Sequence, residues 1–101
     1  MSYKHNNLMA MRHNYWNDCS EIVQSEKLLL KQLLIEQGIF QKVTLEDVQY
    51  FFFSLPSVVI IKAYAVGFHH HDVQRMVVDY IQSNRRALIE RAPVKIQFNL
   101  P

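Results

Sequence analysis

Apolar residues recur at helical intervals along most of this chain. Leu8, Met11, Tyr15 and Cys19 predict a first amphipathic helix over about 7–17. Asn17, Asp18 and Ser20 then crowd together; they either cap a new helix or form the polar face of one continuous helix. Ser20 to Gln37, SEIVQSEKLLLKQLLIEQ, holds good helix formers and no glycine or proline, and Gly38 follows as a left-handed stop. Thr44 opens the next helix. Asp47 at the third helical position can return the capping bond, and Val43 and Val48 have the spacing of a hydrophobic staple. Tyr50, Phe51, Phe52 and Phe53 follow, and Ser54-Leu55-Pro56 ends that helix. Four consecutive aromatics cannot share one face. Most are read as core packing, with at least one reaching a partner or the opposite side of the core.

Val58 to Ile61 is β-branched and suits a strand. Lys62-Ala63-Tyr64-Ala65 nevertheless continues without a break to Gly67, and the helix reading is preferred. From His71 onward, Val73, Met76, Val77, Tyr80, Ile81 and Leu88 mark a long amphipathic helix that Pro93 ends at about Ala92. The tail Val94–Phe98 alternates apolar and polar, as a short strand paired across a dimer or a loosely docked arm would. The expected fold class is all-α: one helical domain over 1–101, with a long N-terminal helix, a helix-turn-helix-like C-terminal half and a short extended tail.

Leu55 to Tyr80 has the outline of a helix-turn-helix, with Gly67 as the turn glycine. Ala63 falls four residues earlier, where crossing helices admit only a small side chain. Val66 and Phe68 flank the turn as inward-facing apolar residues. Val73 and Met76 fall on the buried face of the second helix. Lys62 departs from the motif, which usually has an apolar residue there. The outward set is His69, His70, His71, Gln74 and Arg75, side chains able to bond phosphates and base edges. Arg85 and Arg86, two to three turns further on, are expected to meet the DNA backbone if anything. Any tight helical hairpin with one turn glycine imitates this pattern.

Leu28, Leu29, Leu30, Leu33, Leu34 and Ile35 cover more than one face of their helix, whereas a surface helix needs one apolar stripe. The helix is therefore expected to be covered by its own chain and by a second copy, with Leu28, Leu29, Leu30, Leu33 and Leu34 in the dimer interface. The competing reading is a buried central helix in a monomer.

Composition narrows the function classes. Half of the 101 residues are hydrophobic, which predicts a folded domain, and the surplus for so small a chain predicts an oligomer. The net charge of +2 permits nucleic-acid binding without demanding it. A single cysteine, Cys19, excludes a disulfide framework and a cysteine-based zinc site; it is read as a buried small hydrophobe. No signal peptide and no apolar run near the ~18 residues of a membrane helix occur, so the expected location is the cytoplasm. Neighbours on a helix diverge by ~100°, so His69, His70 and His71 are not expected to hold a metal without ligands from elsewhere, such as Asp72 or His13. A solvated or DNA-facing turn is preferred, with binding that depends on pH around ~6.5. No phosphate loop, nucleophile elbow or catalytic constellation is present, and neither enzyme activity nor a cofactor is expected.

Two stretches together resemble a family. LLLKQLLIEQ at 28–37 is similar to the leucine-rich first helix of FlhD, the flagellar master-regulator subunit. Ser54-Leu55-Pro56 followed by VVIIKA resembles the start of that family's helix-turn-helix region. The resemblance covers about 20–72, with a spacing several residues shorter here, and fades after the turn, where three histidines stand. It implies an all-helical intertwined dimer that activates transcription with a larger zinc-containing subunit, FlhC; shorter relatives control transfer of conjugative elements. The family's intersubunit cysteine has no counterpart in that segment. The expected function is thus a transcription-activator subunit that contacts double-stranded DNA together with an FlhC-like partner. The alternative is a protein-interaction module without DNA binding: an anti-activator, a secretion chaperone, or a phage or mobile-element accessory protein.

Overall fold

The computed structural model describes residues 5–38 and 43–91. They form five helices: α1 His5–Trp16, α2 Glu21–Glu36, α3 Leu45–Ser54, α4 Ser57–Val66 and α5 His71–Arg91. Val58 to Ile61 is helical, as preferred over the strand reading. The proposed strand at Val94–Phe98 lies outside the described residues.

Of the two alternatives open for the N-terminal half, the chain takes the first, with two separate helices. Asp18 Oδ1 accepts the Ser20 N–H at 2.8 Å, and Ser20 Oγ accepts the Val23 N–H at 3.3 Å. The polar cluster is therefore a cap that starts α2 afresh. Cys19 sits in this exposed connection, not in the core as its spacing suggested. At α3 the reciprocal capping box is complete. Thr44 N–H donates to Asp47 Oδ2 at 2.7 Å, and Asp47 N–H donates to Thr44 Oγ1 at 3.2 Å.

The core joins one side of every helix. Leu30, Leu34, Val48, Phe51, Phe52, Leu55, Ile60, Val73, Val77 and Ile81 are almost fully enclosed. The aromatic run splits as its geometry requires: Phe51 and Phe52 are buried, while Tyr50 and Phe53 pack at the margin. Trp16 and Tyr15 of α1 lie against Phe52, with ring centroids 5.5 and 5.3 Å away. Lys27 lies 4.3 Å over the Trp16 ring.

At several junctions a side chain of one helix bonds a backbone carbonyl of another. Pro56 bends the chain by 106° between α3 and α4 and offers no N–H. Arg12 of α1, only 6% exposed, donates to Leu55 O at 2.6 Å and reaches Ser57 Oγ at 3.4 Å. Burial pushes the Arg12 pKa down, against a smaller opposing effect of Tyr80. Tyr80 Oη donates to Ser54 O at 2.7 Å, and Tyr50 Oη donates to Leu88 O at 2.6 Å. Tyr64 of α4 donates to Met11 O of α1. α5 is kinked at Asn84 (φ −122°, ψ 18°), whose Nδ2 donates to Tyr80 O at 3.0 Å. That side chain competes with the helical ladder, a recognised cause of bending. Among the described residues no single helix is long and apolar enough to cross a membrane.

Candidate functional site

The α4–α5 connection is where sequence and structure concentrate polar chemistry. Gly67 has φ 90° and ψ 155°, and its N–H donates to Ala63 O at 2.6 Å. This lies in a region of backbone space that is essentially glycine-only. Ala63 and Phe68 on either side of it are buried. Val66 was expected to face inward and does not; it is exposed on the outer side of α4 with Val58 and Ile61.

A residue that sequence reasoning missed organises the turn. Glu26 of α2 is 4% exposed. Its Oε2 accepts the Phe68 N–H at 2.6 Å and lies 3.4 Å from His69 Nδ1. Its Oε1 accepts a hydrogen bond from the Tyr15 hydroxyl. A Cβ at position 67 would meet the same Oε2 at 3.3 Å. The carboxylate thus stands in for a helical carbonyl where the chain reverses. In the sequence Glu26 looks like an ordinary polar residue of an amphipathic helix. The one available signal is that it shares a helical face with the buried Val23, Leu30 and Leu33.

The expected DNA-contacting residues separate into two groups. His69, His71, Arg75 and Arg86 are exposed, and His70 is half-buried. Gln74 is also half-buried, and its Nε2 donates to His69 O at 3.1 Å, so its amide is committed to the turn. Arg85 donates to Gln37 O at 2.8 Å and Gly38 O at 2.7 Å. Its guanidinium closes the carbonyl end of α2, where the helix dipole favours a cation. Exposed Asp72 and Asp79 stand three residues before and four after Arg75, on the same helical face. The outer side of α5 therefore carries mixed charge.

The leucines of α2 divide as well. Leu30, Leu33 and Leu34 are enclosed by this chain's own core and Leu29 is half-buried, while Leu28 is 62% exposed. Own-chain packing thus accounts for three of the five expected interface leucines. Ile35 and Leu45 are exposed too. A cleft of about 230 Å³ runs beside Leu28, lined by Gln24, Lys27, Lys31, Leu45 and Val48.

Comparison with protein families, with characterised proteins and with solved structures finds no match to this chain.

Proposed function

We propose that this protein is a non-enzymatic subunit of a transcription-activating complex, similar in role to FlhD. It forms a homodimer through the outer face of α2 and offers the α4–Gly67–α5 connection as a helix-turn-helix-like element. A larger FlhC-like partner supplies most of the DNA affinity. The observation that carries this reading is the pinned turn. Glu26 fixes Phe68, Val73 is buried behind it, and Arg75 stands exposed one helical turn into α5. That is the arrangement by which a recognition helix holds its readers outward. The net charge of +2 and the carboxylates flanking Arg75 explain why the subunit needs a partner. Fluorescence anisotropy with promoter-like DNA at two salt concentrations, with and without the larger partner, tests it. Affinity that falls with salt only in the complex is the expected result.

A second reading rests on α4. Val58, Ile61 and Val66 are exposed on its outer side, and an apolar surface on a small domain marks a protein contact. In that case the same connection binds a protein target, and DNA affinity is absent at both salts.

A further inference from the structure

The geometry points to a binding site for a divalent transition metal, Zn²⁺ or Cu²⁺, at the start of α5, held by His70, His71 and Asp72. The ~100° divergence of neighbouring residues governs only positions inside a helix. His70 lies just before α5, and its carbonyl accepts the Gln74 N–H at 3.0 Å, which makes it the capping residue. Freed from helical geometry, the His70 ring lies beside that of His71, with centroids 4.7 Å apart; the planes are 19° from parallel, so one ring must turn for both in-plane lone pairs to meet at one ion. One donor atom from each of His70, His71 and Asp72 lies within 4.8 Å of the other two. His71 Nε2 is 3.1 Å from Asp72 Oδ1, and His70 Nδ1 is 3.8 Å from Asp72 Oδ2. A tetrahedral ion with ligands ~2.1 Å away needs donors about 3.4 Å apart. The two separations run to different oxygens of the Asp72 carboxylate, so rotation of the exposed His71 and Asp72 side chains is what brings one donor from each residue onto a single ion.

The donor chemistry selects the ion. Two imidazoles and one carboxylate suit Zn²⁺ or Cu²⁺ and not Mg²⁺ or Ca²⁺, which prefer all-oxygen sites. His70 Nδ1 accepts the Asp72 N–H at 3.1 Å, so this nitrogen presents a lone pair and not a proton. Metal binding there takes the acceptor from the Asp72 amide, which gives the site a specific reporter. The N-terminal end of the helix dipole opposes a cation. The Asp72 carboxylate offsets it, and is therefore required and not merely adjacent. His69 is outside the set because its Nδ1 faces Glu26 at 3.4 Å. Three protein ligands leave a fourth position for water. The site does not rest on the regulatory reading above, although it occupies the same start of α5.

The test is calorimetric titration of the full chain with Zn²⁺, followed in parallel by amide and imidazole NMR signals. One Zn²⁺ binds per chain, the Asp72 amide and the His70 and His71 ring signals shift, and Mg²⁺ produces neither heat nor shifts. His71→Ala and Asp72→Asn each weaken binding at least ~10-fold, as loss of a ligand should. His13→Ala leaves it unchanged. Circular dichroism reports that each variant is folded, and either of the two ligand variants suffices for the comparison. Absence of heat and shifts overturns the site. So does equal affinity in Asp72→Asn, or an equal loss in His69→Ala, because either result describes chelation by a loose histidine run.

Discussion

The Glu26 carboxylate accepts the Phe68 backbone N–H at 2.6 Å across 42 positions of sequence. One side chain of α2 thereby ties down the residue that follows the turn glycine between α4 and α5. The Phe68 amide cannot find a helical carbonyl because Gly67 has turned the chain away. A buried donor without a partner is costly. Glu26 supplies the partner, and the Tyr15 hydroxyl and His69 ring complete the surroundings of the carboxylate.

Glu26→Ala should therefore destabilise the protein by about 1–3 kcal/mol, the cost of leaving the Phe68 N–H and the Tyr15 hydroxyl unsatisfied. Glu26→Gln, which keeps one carbonyl acceptor, should cost less. Urea denaturation measures both. A midpoint unchanged in Glu26→Ala would show that the turn holds without the carboxylate.

Gly67→Val should cost about 1–3 kcal/mol from backbone strain alone, since φ 90° with ψ 155° is closed to side chains with a Cβ. The new Cβ would also press on Glu26 Oε2. The two substitutions share an atom, so their effects in the double variant should not add. Thermal melts of the singles and the double check this; simple additivity would separate the glycine from the carboxylate.

Arg85→Ala should lower stability by about 1 kcal/mol, because two carbonyls at the end of α2 lose a charged donor near the surface. Its effect on DNA binding by the complex should follow that stability loss and leave the salt slope unchanged. A reduced salt slope in a fully folded variant would return Arg85 to the set of phosphate contacts.

Leu28→Lys should reduce particle size in sedimentation velocity without changing helix content. Leu33→Lys should instead lower the melting temperature, because Leu33 is buried in its own chain. A wild type that sediments as a monomer at micromolar concentration would remove the dimer from the account.

Local signals in the sequence were legible wherever one residue type has one physical use. The Thr44–Asp47 capping box, the stop at Gly38, the break at Pro56 and the positive φ of Gly67 all stand in the structure. The helix-turn-helix pattern also identified Phe68 as core, and helical periodicity Val73. Long-range polar pairings were not legible. Glu26 with Phe68, Arg12 with Leu55 and Arg85 with Gln37 join residues 42 to 48 positions apart, and periodicity carries no record of which distant carbonyl or amide a charge will meet. For the same reason periodicity did not show that Arg85 reaches the end of α2, or that Leu30, Leu33 and Leu34 are enclosed by their own chain. Cys19 and Val66 were misread for a simpler reason: Cys19 lies in the connection beyond the end of α1 and Val66 is the last residue of α4, and a helical face assigned from sequence no longer holds there.

The central claim is that the exposed start of α5 contacts DNA within a larger complex, and Arg75 is its sharpest probe. Its side chain is exposed, so removing it should leave the fold intact. Anisotropy titration of the complex on its operator, at two salt concentrations, compares wild type with Arg75→Ala. The account predicts affinity weaker by about 1–3 kcal/mol for a base contact, or a salt slope smaller by about one for a phosphate contact. Unchanged affinity together with an unchanged salt slope would contradict it.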